Sequence, residues 1–467
     1  MTLTGNKSDH EKASILLVAV ISAFLTPFMG SAINLALPSI GADFDADTIL
    51  LGWIATAYLL SSAVFLVPFG RLADIYGRKR VFLSGMIIFT VSSLLSTLAP
   101  GIYSLLAFRV FQGMGSSMIF ATGLAIVSSV FPPKERGKAF GLTIASVYTG
   151  LSFGPFAGGL LTEYLGWRSI FLFTVILGIT GIFFLIRKIK GEWAEATGES
   201  FDLAGSVIYG VSLFLLIFGF SRLPDTRGFV CLTGGIGGIF LFILYELRIP
   251  YPVMQLSLFR NNPVFAWSNL AALINYSATF AVAFILSLYL QYIKEFTPRD
   301  AGLVLVSQPV IMALVSPLAG RLSDRVEPRL LATGGMAITT LGLFLLVFVE
   351  SMGMPMLVST LILLGTGFGL FSSPNSNAIM GAVSKKFYGI ASGTMGTMRL
   401  LGQMFSMGLV MLILSVFIGR EPVTPQNSHY FMQSVRVAFW LFFILCFLGI
   451  FASYARGKVR TNKSPDQ

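Results

Sequence analysis

Two short charged stretches and two isolated arginines carry the residues able to do chemistry. "GRLADIYGRKR" runs from Gly70 to Arg80 and sets Asp74 among Arg71, Arg78, Lys79 and Arg80; "GRLSDRVEPR" runs from Gly320 to Arg329 and sets Asp324 among Arg321, Arg325 and Arg329. A carboxylate among cations at a helix end can pair with an arginine or a helix N-terminus, and such a pair can be broken and remade. One reading makes these turns purely topogenic; that accounts for the arginines but not for Asp74, which favours a gating latch. Arg109 lies inside an apolar run, with Gln112 on nearly the same helix face and Gly113 and Gly115 close by. A charge in such a run costs roughly 2.5–3.5 kcal/mol on insertion scales, so a role is expected of it. Arginine stays protonated at any working pH, so the role is electrostatic, toward backbone carbonyls or a bound molecule in a cavity. Arg399 is the comparable residue of the second half, and structural hydrogen bonding and a cavity role both stand open for it. The chain contains no GxxxxGK[ST] loop, no HExxH and no cysteine pair with metal spacing, so no ATPase, enzyme, metal or cofactor is expected. Cys231 and Cys446 lie in apolar runs, where a disulfide is not expected.

The elements that hold these residues follow from composition. The 467 residues are 55% hydrophobic and 11% charged, against about 25% charged in soluble domains, so the solvent must be lipid. Fourteen stretches are long enough to cross a bilayer: 14–38, 50–70, 80–98, 103–130, 138–160, 168–187, 203–221, 229–247, 263–290, 301–320, 330–349, 355–380, 387–416 and 435–455. The net charge of +11 does not indicate nucleic acid, because the basic residues are scattered through short loops. Of 32 Lys and Arg, 23 fall in the segments that share a side with the N-terminus, 7 fall on the other side, and Arg109 and Arg399 lie within spans. That bias predicts cytoplasmic termini, 1–13 and 456–467, in a multi-pass protein of the cell membrane.

The two charged turns are one feature of a longer repeat. Gly70, Arg71, Leu72 and Asp74 recur as Gly320, Arg321, Leu322 and Asp324; "GMG" at 113–115 recurs as "GTG" at 365–367; and Gly137, Ala139 and Gly141 recur as Gly389, Ala391 and Gly393. The chain therefore reads as an all-α polytopic membrane protein built from two parallel six-helix bundles, 14–190 and 251–455, with an inserted helix pair in 191–250. Parallel halves place a substrate site at their interface near the bilayer midplane. In the fifth span, Gly150, Gly154 and Gly158 stand four apart on one face, Gly159 follows, and Pro155 removes a backbone donor. Such a face suits close helix packing or a surface that slides between states, and the two are not exclusive.

These stretches resemble the major facilitator superfamily. "GRLADIYGRKR" is similar to its loop 2–3 signature, "RVFQGMG" (Arg109, Gln112, Gly113, Gly115) to its span-4 motif, and "GLSFGPFAGG" (Gly150 to Gly159) to the span-5 motif of its antiporters. The extra helix pair, "FDLAGSVIYG" at 201–210, "SLFRNNPVF" at 257–265, "LYLQ" at 288–291 and "TMRLLGQMFSMG" at 397–408 resemble its fourteen-span drug:proton antiporter branch. The resemblance implies the major facilitator fold and export of hydrophobic or amphipathic small molecules, usually coupled to proton entry, in the manner of multidrug efflux. One departure matters: exporters of this branch often carry an aspartate in span 1, where this chain has Met29, and no Asp or Glu sits centrally in any span. Asp74 and Glu163, at opposite edges, are the remaining candidates for a proton site. A cavity with arginines and no acid suits neutral or anionic amphipaths, which leaves a carrier without proton coupling, or a membrane sensor, as alternatives. Asn34, Asn275, Gln308, Asn375 and Gln403 are polar residues able to line such a cavity with Arg399. The expected partners are the bilayer, a small amphipath and protons, with the chain acting as a monomer.

Overall fold

The structure is a computed structural model, which describes residues 9–131, 133–189, 191–194, 196–223, 225–254, 257–323, 325–383, 388–419 and 427–457. Asp324, the carboxylate of the second charged turn, lies outside the described residues, as do 1–8 and 458–467 of the terminal segments.

In lipid every backbone polar group must be satisfied internally, so apolar runs of this length become helices. The helices are α1 (Asp9–Phe44), α2 (Thr48–Tyr76), α3 (Arg78–Thr97), α4 (Ile102–Val130), α5 (Pro133–Leu165), α6 (Arg168–Lys188), α7 (Leu203–Arg222), α8 (Thr226–Glu246), α9 (Ser257–Asn261), α10 (Pro263–Thr279), α11 (Val282–Leu288), α12 (Pro298–Leu305), α13 (Ser307–Ser323), α14 (Pro328–Leu346), α15 (Met354–Gly381), α16 (Tyr388–Phe417) and α17 (Ser428–Ala455). No strand occurs among the described residues. Their starts are written in the sequence. Asp47, Asp202, Asn262 and Thr297 each accept a hydrogen bond from the amide three residues on, and Pro298 and Pro328 open their helices.

Thirteen segments of the described chain are long and apolar enough to cross a membrane. The fifth expected span forms the 33-residue α5, whose side chains are only partly described. Two expected spans are broken. The tenth is split into α12 and α13, because Pro309 cannot donate to the Leu305 carbonyl and its ring crowds that group. The ninth is split into α10 and α11, followed by a π-helical turn at Tyr289–Ile293. No proline or glycine marks the first of these breaks; the Ala281 amide there donates to Ser406 Oγ on α16 at 3.0 Å.

The repeat is visible in the packing. In the first half α1 packs on α5 and α6, α2 on α4, and α3 on α4 and α6; in the second, α10 packs on α16 and α17, α13 on α15, and α14 on α15 and α17. The glycines of the repeat mark equivalent crossings. A Cβ on Gly115 would lie 2.6 Å from Phe89 N and 2.8 Å from Gly85 O, and one on Gly367 would lie 2.6 Å from Thr339 N and 2.8 Å from Gly335 O. Gly113 abuts the Tyr58 carbonyl as Gly365 abuts that of Gln308. The protein is thus two six-helix bundles of one design, with α7 and α8 packed together and α7 also leaning on α2 and α16.

Candidate transport site

The two ends of the bundle differ. The near end carries the α2–α3 and α13–α14 turns; the far end carries the α1–α2 and α5–α6 turns and the start of α12.

At the near end Asp74 Oδ1 accepts from Arg78 Nε and Nη2 at 3.0 and 2.8 Å, while Arg78 Nη1 reaches Ser129 Oγ on α4 at 3.1 Å. The pair therefore ties the start of α3 to the end of α2, through a turn at Gly77 whose φ is +117°. The segment between α6 and α7 grips this turn. Trp193 O accepts from the Arg78 amide at 2.8 Å, and the Ala196 amide donates to Asp74 O at 2.9 Å. Glu192 accepts from the Lys79 amide at 2.8 Å and lies 3.7 Å from Arg80, while Glu199 pairs with Arg71. The linker partners were not foreseen; the acids of "GEWAEATGES" beside a basic turn were the available signal. In the second turn, half-buried Arg329 and exposed Arg321 and Arg325 are described.

Arg109 is 0% exposed. Its Nε donates to Ile54 O on α2 at 3.0 Å, its Nη1 donates to Gln112 Oε1 at 2.5 Å, and Gln112 Nε2 donates to Ser93 Oγ on α3 at 2.7 Å. The guanidinium carbon sits 4.4 Å from the Tyr58 ring centroid, and Tyr58 bonds Ser116 Oγ at 2.8 Å and Thr26 O at 3.2 Å. The charge thus fastens α2, α3 and α4 to one another and, through Tyr58, to α1. Of the two targets foreseen for it, a backbone carbonyl is met; in this conformation neither Arg109 nor Gln112 reaches open space, and one donor, Nη2, has no partner. Met29 is fully buried among the apolar residues of the first half.

The glycines of α5 divide between two surfaces. A Cβ on Gly150 would lie 2.5 Å from Phe24 O, one on Gly154 would collide with Ser31, and one on Gly158 would lie 2.8 Å from Ala32 O. All three face α1, within the first half. Gly159 faces the second half: a Cβ there would lie 2.5 Å from Pro298 O at the start of α12, and one on Gly302 would lie 2.5 Å from Pro155 O. The far end is sealed by further bonds across this seam. Ser287 donates to Asn34 O at 2.7 Å, Gln291 to Leu35 O at 3.4 Å, and the Arg299 amide to Glu163 Oε2 at 3.1 Å. Glu163 therefore sits at the N-terminus of α12, where a carboxylate is favoured by the helix dipole.

Inside the second half, Asn275 is fully buried with neither amide atom partnered, and buried Asn375 donates to Ser268 O at 3.2 Å while its oxygen has no partner. Orphaned amides in a bilayer interior are costly. Half-buried Arg399 crosses the seam to stand 5.1 Å from the Phe120 ring on α4, within electrostatic reach of Tyr58 and Tyr276. Tyr148 of α5 meets Ser372 of α15 at 3.2 Å. Gln403 is half-buried one turn beyond Arg399, and Gln308 supplies the carbonyl against Gly365. Phe120, Tyr148 and Tyr276 escaped the sequence reading, since an aromatic residue in a span carries no signal of which face it takes.

An all-helical membrane protein of two equivalent six-helix halves, meeting along a polar and aromatic seam, is the class this geometry defines. The model of the Major Facilitator Superfamily matches residues 19–407 and 268–467, and the chain belongs to that family of transporters. It is 32% identical over 447 residues to the riboflavin transporter RibZ of Clostridioides difficile, covering 94% of this chain and 96% of that one. It is 31% identical over 466 residues to the cephamycin export protein CmcT of Amycolatopsis lactamdurans, covering 97% and 95%. It is 31% identical over 392 residues to the multidrug resistance protein Stp of Mycobacterium tuberculosis, covering 83% and 73%. Among solved structures it is similar, with a TM-score of 0.69 and 16% identity over 98% of this chain and 100% of the other, to a bacterial homologue of the human lysosomal transporter Spinster; that likeness concerns the fold alone.

Proposed function

We propose that the protein is a secondary transporter of the cell membrane that exports hydrophobic or amphipathic small molecules by alternating access, with both termini cytoplasmic. The observation that carries this is the far-end seal: two equivalent halves are in backbone contact there, at Gly159 and Gly302. With cytoplasmic termini, that is a carrier closed to the outside. The relatives named for riboflavin, cephamycin and multidrug resistance support small-molecule transport. Asp74 with Arg78 is the near-end switch of this reading, and the grip of the 191–202 linker sets how easily it turns. Glu163 is the better placed of the two candidate proton sites, because its carboxylate receives an amide of the opposite half; protonating it weakens the outer seal.

A neutral or anionic amphipath is favoured over a cation. Arg399 reaches across the seam with no acid partner among the described residues, near Phe120, Tyr58 and Tyr276, and a cation entering there meets like charge. The test is substrate counterflow in proteoliposomes with a panel of neutral, anionic and cationic amphipaths, run with an imposed pH gradient and with an ionophore. Substrate-stimulated exchange is expected of a carrier; its absence for every compound leaves the sensor reading.

A further inference from the structure

A second arginine site lies apart from the seam, where α14 begins and α17 ends. Arg456, the residue that closes α17, is 1% exposed. Its Nε donates to Ser453 O at 2.8 Å and its Nη2 to Ser453 Oγ at 2.6 Å, and Ser453 Oγ also receives Thr333 of α14 at 3.0 Å. The remaining nitrogen, Nη1, is buried without a partner. Beside it stands Arg329, whose guanidinium lies 4.1 Å from the Tyr454 ring centroid and whose buried Nε is likewise unpartnered. The two cations are close enough to repel each other. No carboxylate among the described residues pairs with either.

Capping the C-terminus of α17 accounts for Arg456 Nε and Nη2. It does not account for a second guanidinium held alongside, nor for two N–H donors withdrawn from water and left unused, an arrangement that is unfavourable until an anion supplies charge and acceptors together. The place indicates where the anion comes from. Both residues stand at the ends of membrane-crossing helices, and their neighbours Tyr454 and Leu330 are 54% and 55% exposed on the perimeter of the second half, away from the seam. That is the level of lipid headgroups.

We propose that Arg329 and Arg456 bind the phosphate of a net-anionic membrane lipid, with Tyr454 beside its glycerol region and Arg456 Nη1 and Arg329 Nε as donors. A zwitterionic headgroup fits less well, because its ammonium would approach two arginines, neither of them paired with a carboxylate among the described residues. The occupant would fasten α14 to α17 next to the second charged turn.

The test uses the purified full chain in neutral detergent, titrated with phosphatidylglycerol, phosphatidylcholine or inorganic phosphate, with bound ligand counted by native mass spectrometry. Phosphatidylglycerol is expected to bind the wild type at least tenfold more tightly than phosphatidylcholine, and Arg329→Gln and Arg456→Gln are each expected to lower that affinity at least fivefold. Arg456→Gln also removes bonds to Ser453, so Arg329→Gln, which spares them, carries the result if the first variant folds poorly. Arg222→Gln, at the far end, is expected to change nothing. Inorganic phosphate competing as well as the lipid would keep the anion site and overturn the lipid as occupant. Equal phosphatidylglycerol binding by the wild type and Arg329→Gln would overturn the proposal.

Discussion

Gly159→Ala isolates the outer seal. The added methyl group would lie 2.5 Å from Pro298 O and 3.2 Å from Arg299 Cα, both backbone atoms of the opposite half, so no rotamer change can relieve it. Restoring an ordinary contact of roughly 3.5 Å moves α5 and α12 apart by about 1 Å. Overpacking of this kind costs about 1–3 kcal/mol, here charged only to the state in which the far end is closed. At about 1.4 kcal/mol per factor of ten, the far-end-open population should rise about 5- to 150-fold. Gly158→Ala is the control: its methyl group would lie 2.8 Å from Ala32 O, inside the first half, and should lower the melting temperature without moving the equilibrium. The assay is the distance distribution between spin labels at Tyr103→Cys and Tyr430→Cys, exposed far-end positions on α4 and α17, in a chain with Cys231 and Cys446 replaced. A longer distance is expected for Gly159→Ala alone. An unchanged distribution in that variant, or an equal change in Gly158→Ala, would refute the assignment of Gly159 to a moving seam.

Asp74→Asn removes the charge from a pair with Arg78 that is partly open to solvent and worth about 1 kcal/mol or less; expression should hold while initial uptake falls severalfold, and normal uptake would make the turn topogenic only. Arg109→Ala strips the donors from Gln112 Oε1 and Ile54 O and empties a fully enclosed site, so uptake per folded molecule should be lost and stability should fall by about 2–5 kcal/mol. Arg109→Lys, which keeps the charge without the planar fork, should retain a small part; normal uptake by Arg109→Ala would make the residue dispensable to transport. Glu163→Gln should reduce uptake driven by a pH gradient while sparing counterflow, and full proton exchange in the Asp74→Asn, Glu163→Gln double variant would place the titrating group elsewhere.

What the sequence made legible is what lipid enforces. Spans, caps and the repeat follow from lipid's intolerance of unpaired backbone and from glycines at helix crossings, and "GMG" and "GTG" at equivalent crossings are the strongest instance. The break before α13 was missed, since 301–320 reads as one span, although Pro309, which cannot continue the ladder, was the local signal for it. The break after Thr279 had no such signal: its cause is Ser406, 125 residues on, and no local pattern announces a distant hydroxyl. The type and depth of Arg109 pointed to importance, but its enclosure depends on Ile54, Tyr58 and Ser93, contributed by two other helices. The linker grip on Asp74 was hidden for a related reason. Glu192 and Glu199 lie more than a hundred residues from their partners, and charge complementarity has no period to read.

The repeat also exposes where the halves differ. Gly159 meets the start of α12, and the equivalent position of α16 is Met411, which meets the start of α2; a Cβ on Gly52 would lie 2.8 Å from Met411 Cγ. One seam is therefore backbone on backbone, with nothing able to yield. The other is cushioned by an unbranched thioether that can change shape, also touched by Thr56 at 3.9 Å. The flank of this second seam is covered by α7, through Tyr209 on Ala63 O and Phe220 against Gly408. Two rigid seams would lock the halves and two soft ones would leave the closed state undefined. On the proposed alternating-access reading, a hard stop on one side and a compliant contact on the other would let the closed position be set at Gly159 and Gly302 while the opposite seam adjusts. On this account the inserted helix pair has a mechanical place: it lies along the compliant seam, where packing alone does not fix the register.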